Sequence, residues 1–126
     1  MKASKMHGLS KLFGLRVFKK GEYIERAAVR GHEVFLLACG DDTEVWRHTL
    51  KAGARFNIYP AEDWDGLECF YILAGTLRWE SPEGPRQLTA GDFVSARYLS
   101  EPGLFHADSD VELLYVTSRP GFEAMS

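Results

Sequence analysis

Glu68 is the residue of this sequence whose position most needs a chemical explanation. It opens the apolar segment ECFYIL, and the alternation of side chains along a strand puts Glu68 on the same face as Phe70 and Ile72. The other face of this segment is also largely apolar, so the strand is predicted to be buried on both sides. An unpaired carboxylate in an apolar interior is costly, so we expect Glu68 to have a partner inside a lined cavity.

Further polar side chains are candidates for the lining of the same cavity. The segment RFNIY (55–59) alternates strictly, with Phe56 and Ile58 on one face and polar side chains on the other, and His106 lies within the apolar segment GLFHA. A phenol, a carboxylate and an imidazole that converge within an apolar barrel can hydrogen-bond a small molecule. The predicted ligand-binding residues are Arg55, Asn57, Tyr59, Glu68 and His106, and no catalytic residue is assigned. The alternative is that Glu68 and His106 are separate, solvated residues at a rim.

The elements that must hold these residues are short strands. From residue 16 onward, apolar or alternating segments of about 4–8 residues are separated by Gly, Pro and Asp turns, which is typical of an all-β sandwich or barrel. We therefore predict one all-β domain over residues 16–126, preceded by an arm over residues 1–15. The predicted strands are EVFLLA, EVWRHTL, RFNIY, ECFYIL, TLRWE, RQL, DFVSA, LFHA and VELLYVTS.

Length, charge and motifs exclude several classes of function. The chain of 126 residues is long enough for one well-buried core, and its net charge of −3, without a Lys/Arg stripe, argues against a nucleic-acid partner. The longest apolar stretch of the basic N-terminal segment is interrupted by Lys11, Gly14 and Arg16, so neither a signal peptide nor contact with a membrane is expected. A cytoplasmic protein is therefore predicted. The sequence has no GxSxG, HExxH or Gly-rich phosphate loop.

The spacing of several residues resembles the motifs of the cupin superfamily. Glu68 is followed after six residues by Gly75, and the later segment EPGLFH keeps a Gly-x2-His spacing between Gly103 and His106. The two cupin motifs read Gly-x5-His-x-His-x3–4-Glu-x6-Gly and Gly-x5-Pro-x-Gly-x2-His-x3-Asn. The resemblance covers roughly residues 44–118 and implies a cupin-type double-stranded β-helix, or jelly-roll barrel. It also implies that Glu68 and His106 would be two of four ligands to one divalent metal.

The sequence departs from the cupin motifs at the metal ligands. Counting along the first motif puts Tyr59 and Ala61 where the two histidines should stand. Two protein ligands are too few for a stable mononuclear site, so no cofactor is expected. A divalent ion, if one binds, would use Glu68 and His106. The inserted loop adds three carboxylates that could complete such a site, Glu62, Asp63 and Asp65.

The missing ligands favour a non-enzymatic domain that binds a small molecule and has a sensory or regulatory role, by analogy with cupin modules of bacterial regulators. The alternative is a small cupin enzyme, an isomerase, lyase or metal-dependent oxygenase, that uses Glu68 and His106. A third possibility is a structural role in which Trp46, Trp64 and Trp79 only pack. The predicted partners are a small-molecule ligand and a second copy of the chain, because RVFKKGEYIERA can add a strand across a two-fold axis and so cover an exposed edge.

Overall fold

The computed structural model describes residues 15–40, 42–60, 66–96 and 99–118. Within these ranges the chain forms ten strands and no helix, which confirms the predicted all-β class. The same ranges accordingly hold no helix with the length and apolarity that a membrane crossing requires. The strands are β1 Glu25–Val29, β2 His32–Cys39, β3 Glu44–Leu50, β4 Arg55–Ile58, β5 Glu68–Ala74, β6 Thr76–Ser81, β7 Gly84–Thr89, β8 Phe93–Ser95, β9 Gly103–Ala107 and β10 Val111–Thr117.

The strands form two antiparallel sheets that face each other across a shared core. The six-stranded sheet has the order β1-β2-β3-β10-β5-β8, and the four-stranded sheet has the order β4-β9-β6-β7. Leu113 of the large sheet and Leu77 of the small sheet are both fully buried and belong to one hydrophobic cluster. The arrangement is the predicted jelly-roll barrel. The predicted arm, apart from Leu15, lies outside the described residues, and the predicted domain bounds stay a prediction.

Alternation along the strands decides which side chains enter the barrel. In β10, every second residue from Val111 to Thr117 is buried, whereas the residues between them are partly exposed. Burial of a large apolar side chain stabilises a fold by about 1.5–3 kcal/mol, so a face of this kind is turned inward at the expense of its more polar neighbour. The inward faces of β5 and β6 are formed in the same way around Phe70, Ile72 and Leu77.

The corner between β5 and β6 depends on Gly75, the glycine of the Glu-x6-Gly element. Gly75 has a φ of +89°, a conformation that side-chain-bearing residues rarely adopt. A Cβ atom at this position would lie 2.0 Å from the carbonyl oxygen of Asp110. The close approach of the two backbones joins this corner to the turn before β10, and so fixes the strand on which Glu68 lies.

The first strand pairs within its own chain. β1 runs antiparallel to β2, with Glu25 opposite Leu36 and Val29 opposite His32, and it forms one edge of the large sheet. The part of RVFKKGEYIERA that forms β1 is therefore already paired on one side, with its other side at the sheet edge. The predicted homodimer stays a prediction.

Candidate functional site

Glu68 lies inside the barrel and is paired. It begins β5, stands opposite Thr117 of β10, and is only 3% exposed. The hydroxyl of Tyr115 donates a hydrogen bond to Oε2 of Glu68. The prediction of a buried, partnered Glu68 on one face with Phe70 is therefore confirmed, and its partner is Tyr115.

Two histidines continue this polar group through the interior. The ring of His48 stacks on Tyr115, with centroids 4.7 Å apart and planes 4° from parallel. Nε2 of His32 lies 3.0 Å from Nδ1 of His48, whose exposed fraction is 0%. We refer to Glu68, Tyr115, His48 and His32 as the interior polar chain. Sequence reasoning missed both histidines, although alternation in EVWRHTL puts His48 on the same face as Trp46.

Burial keeps both histidines neutral at neutral pH. It lowers the pKa of His32 to about 4. For His48, burial and the neighbouring His32 lower the pKa well below its ordinary value. Between two neutral rings, one nitrogen donates and the other accepts. This contact uses Nδ1 of His48, and its Nε2 is a buried polar atom that has no hydrogen-bond partner among the described residues. At neutral pH the interior polar chain therefore bears no cationic group.

The other four predicted binding residues are found on the outer face of the four-stranded sheet. Arg55 stands opposite His106, and Asn57 opposite Leu104, in the β4–β9 pairing. Nδ2 of Asn57 donates to the hydroxyl of Tyr59, at 3.0 Å. Arg55, Asn57 and His106 border a shallow cavity of about 370 Å³ on this face. The structure thus brings these residues together, but outside the barrel.

The prediction that Tyr59, Glu68 and His106 line one cavity is therefore wrong. Glu68 points into the barrel, whereas Tyr59 is 58% exposed and His106 shares the outer face with Leu104. The reason is that the apolar face of RFNIY turns inward, around Phe56, and its polar face is left in solvent. A single ion cannot be held by Glu68 and His106 together, because the sheet separates them.

Charges on the outer face largely satisfy one another. Nε of Arg78 lies 2.7 Å from a carboxylate oxygen of Glu80, and NH1 of the same guanidinium contacts Asp108. Nδ1 of His106 lies 3.2 Å from the same carboxylate of Asp108. Two acids thus offset the guanidinium of Arg78 at the centre of this face, whereas Arg55 forms no salt bridge among the described residues.

The inward residues of β4 and β9 do not fit the metal centre that the cupin motifs imply. Phe56 and Ile58 face inward with the two-residue spacing of His-x-His, and the inward residues of β9 include Phe105, one position before His106. The rings of Phe56 and Phe105 stack with centroids 5.0 Å apart. Over the four described ranges, no three His, Cys, Asp or Glu side chains are grouped closely enough to hold a metal ion. The loop carboxylates of Glu62, Asp63 and Asp65 lie outside those ranges.

An open cleft lies between the four-stranded sheet and the edge strand β8. Its volume is about 500 Å³, within the range of small-molecule sites. It is lined by Ile58, Trp79, Leu88, Phe93, Val94, Ser95, Ala96, Leu99, Gly103 and Phe105. We call it the apolar cleft, because among the described residues of this lining only Ser95 and Trp79 contribute polar side-chain atoms. Trp79 is half-buried in the wall, whereas Trp46 is a buried core residue.

Aromatic contacts connect the apolar cleft with the interior polar chain. Phe105 lines the cleft and meets Phe70 edge to face, with centroids 5.4 Å apart. Phe70 in turn stacks on Tyr115, with centroids 5.8 Å apart. Glu68 therefore lies behind an aromatic layer and is not part of the cleft lining. Sequence reasoning missed the cleft because each of its wall residues looks like an ordinary core residue.

Comparison with known proteins identifies the fold. No protein-family model and no curated protein matches the sequence. An RmlC-like cupin from Shewanella frigidimarina is 18% identical, with a TM-score of 0.66 over 86% of this chain and 95% of that one. Ectoine synthase from P. lautus is 19% identical, with a TM-score of 0.61 over 75% of this chain and 69% of that one. The Cupin_2 domain of an XRE-family transcriptional regulator from Enterobacter cloacae is 19% identical, with a TM-score of 0.59 over 72% of this chain and 99% of that domain.

The chain therefore has the cupin fold, and the resemblance seen in the sequence motifs is confirmed at the level of the fold. The similar structures include an enzyme and a domain of a transcriptional regulator, so the fold alone is compatible with both classes of function.

Proposed function

We propose that this protein is a small-molecule-binding cupin domain with a sensory or regulatory role, and that its ligand occupies the apolar cleft. The observation that carries the proposal is the cleft itself, an opening of about 500 Å³ with an almost wholly apolar wall. Ligand sites in proteins are concave and mostly apolar, with a small number of polar groups that orient the ligand. Ser95 and Trp79 are the polar groups of this wall.

The chemistry of the cleft lining favours binding over catalysis. None of its described residues is a carboxylate, an imidazole, a thiol or an amine, so the hydroxyl of Ser95 has no base beside it in this lining that would activate it as a nucleophile. The similarity to the Cupin_2 domain of an XRE-family regulator supports a regulatory role by analogy. In that role, a partner would bind the ligand-bound and ligand-free forms of the domain with different affinities.

A titration with a neutral fluorescent probe tests the proposal. N-phenyl-1-naphthylamine is apolar and uncharged, and we expect saturable binding with one site per chain. Leu88→Ser removes part of the cleft wall and should weaken binding about fivefold, since the loss of about 1 kcal/mol of apolar contact corresponds to that factor. Gln87→Ser, on the neighbouring exposed residue, is the matched control and should bind like the parent protein. Absence of saturable binding, or equal binding by the two variants, would contradict the proposal.

A second candidate function, a small acid–base enzyme, is favoured by one observation. Glu68 is buried, accepts a hydrogen bond from Tyr115, and is connected through that ring to two neutral histidines, which are groups that proton transfer commonly uses. Mass spectrometry can identify small molecules that stay bound to the protein through native purification, and such a molecule would serve as the candidate substrate. Its conversion by the protein, abolished in Glu68→Gln while binding is kept, would put the enzyme first; unchanged recovery of the compound would exclude that reaction.

A further inference from the structure

We propose that the ligand of the apolar cleft carries a carboxylate beside an apolar body, and that Arg86 recognises the carboxylate at the rim. This inference rests on the proposed function and names the chemical class of its ligand. It is carried by the position of one arginine relative to the cleft wall and by the absence of a carboxylate from the described residues of that wall.

Arg86 lies on the cleft side of its strand. It stands opposite Trp79 in the β6–β7 pairing, and Leu88, two residues further along β7, lines the cleft. Because side chains alternate along a strand, Arg86 and Leu88 share a face. Cζ of Arg86 is 5.9 Å from the centroid of the Trp79 ring, which is itself part of the cleft wall. The guanidinium therefore stands at the edge of the cleft.

The guanidinium of Arg86 is available to a ligand. Arg86 is exposed, and within the part of the chain that the structure describes it forms no salt bridge. Arg26, Arg47 and Arg78 are each paired with a carboxylate, whereas Arg16, Arg30 and Arg55, like Arg86, form no salt bridge among the described residues, and of these four Arg86 is the one whose guanidinium lies beside a wall residue of the cleft. A guanidinium that has no acidic neighbour keeps its five donors for an acceptor from outside, and its geometry matches the two oxygens of a carboxylate.

The polar atoms of the rim are predominantly donors. The indole N–H of Trp79 only donates, and it has no hydrogen-bond partner among the residues of the described ranges. None of the described residues that line the cleft is a carboxylate. A ligand group that meets Arg86 and Trp79 must therefore accept hydrogen bonds, and a negative charge on that group is favoured over a neutral acceptor.

The cleft also fixes the direction in which such a ligand lies. Ile58 and Phe105 are buried wall residues, 3% and 5% exposed, so they mark the deep end, while Trp79 is half-buried and Arg86 exposed. The apolar body would contact Ile58 and Phe105, and the carboxylate would remain at the rim, where it keeps part of its hydration. This arrangement avoids the cost of a fully buried charge.

Matched probes test the charge preference. We would titrate 4-phenylbutyrate, 4-phenylbutyramide and 4-phenylbutyl phosphate into the full chain at pH 7.5 and low ionic strength, by calorimetry. We expect the acid to bind about tenfold more tightly than the amide, which has the same body without the charge. Arg86→Gln should remove this difference and leave the affinity for the amide unchanged. Arg16→Gln removes the same charge from another exposed arginine and should preserve the tenfold preference.

The outcomes separate this inference from the proposed function. Equal affinities for acid and amide, or a preference that survives Arg86→Gln, would overturn the carboxylate inference, although the proposed function would still stand. A phosphate that binds more tightly than the acid would also overturn it. If neither phenylbutyrate nor its amide, nor N-phenyl-1-naphthylamine, binds saturably, the proposed function itself fails. A shift of the Trp79 indole N–H resonance that only the acid produces would place the charged group at the rim.

Discussion

Nε2 of His32 and Nδ1 of His48 lie 3.0 Å apart inside the barrel, and the two rings share one hydrogen bond. Each neutral imidazole has one donor and one acceptor nitrogen, so this contact requires one ring to accept from the other. Protonation of the accepting ring would put two N–H groups against each other. Protonation of the interior polar chain at acid pH should therefore destabilise the fold.

We expect the free energy of unfolding to fall as the pH drops below about 6.5. The folded-state pKa of His32 is lowered from 6.5 to about 4, so between these values the unfolded chain binds a proton that the folded chain does not. The stabilisation is complete above pH 6.5 and is lost as the pH falls toward 4, by about 3 kcal/mol for His32 alone. Urea unfolding at intervals from pH 7.5 to 4.5 measures it.

A control distinguishes this source of acid sensitivity from the titration of the carboxylates. His106→Asn changes a histidine that lies on the outer face, away from the interior polar chain, and its slope is measured beside that of the parent protein. A double variant, His32→Asn with His48→Phe, should unfold with a shallower dependence in the same range. If the double variant keeps the slope of the parent protein, the interior histidines are not its cause.

The hydrogen bond between Tyr115 and Glu68 should be measurable as a coupling. Tyr115→Phe keeps the ring that stacks on His48 but removes the donor, and we expect it to cost about 1.5–3 kcal/mol because a buried acceptor loses its partner. A cycle with Glu68→Gln should give a coupling energy of at least about 1 kcal/mol in urea unfolding. Tyr71→Phe, on the exposed face of the same sheet, should change stability by less than about 0.5 kcal/mol. A coupling near zero would argue against this bond.

Gly75→Ala should be among the most destabilising glycine substitutions. The new Cβ would lie 2.0 Å from the carbonyl oxygen of Asp110, and the backbone φ of +89° is unfavourable for alanine. We expect a loss of more than about 3 kcal/mol, or failure to fold. Gly91→Ala is the matched control, since Gly91 has a similar φ of +96° but no atom within 4 Å of the new Cβ. Strain alone should cost it about 1 kcal/mol, so equal losses would refute the steric account.

The metal content of the purified protein should not depend on His106. This histidine lies on the outer face and its ring contacts Asp108, whereas Glu68 is inside the barrel and holds Tyr115. Elemental analysis after purification without chelator or nickel resin should give the same metal content for the parent protein and His106→Ala. Near one equivalent of a divalent metal that is lost in His106→Ala would reverse this interpretation and favour the enzyme.

The strands, and the division of their residues between two faces, could be predicted from the sequence. The prediction of which face turns inward is wrong for one strand. Alternation in RFNIY correctly separates Phe56 and Ile58 from Arg55 and Asn57. The prediction that the polar face lines a cavity is wrong, because the burial of apolar surface turns Phe56 and Ile58 inward. Glu68 was placed correctly because both faces of its strand are apolar, which left no exposed alternative.

The partners of Glu68 could not be predicted, because they depend on pairing between strands far apart in the chain. Tyr115 reaches Glu68 only because β10 lies beside β5, in the register that sets Tyr115 opposite Phe70. The apolar cleft has a similar origin, since its wall combines residues from five strands and the segment after β8. Neither feature has a local signature, because apolar side chains of this kind are typical of any core.

The central position of β10 has a consequence for synthesis on the ribosome. Among the described strands it is the last to emerge, yet it pairs with both β3 and β5 in the middle of the large sheet. A nascent chain that ends before Val111 would therefore expose two unpaired strand edges and the apolar faces beside them, and such edges promote aggregation. Folding of the large sheet must wait for residues 111–117, so the half-made protein is expected to depend on chaperones that bind extended apolar segments.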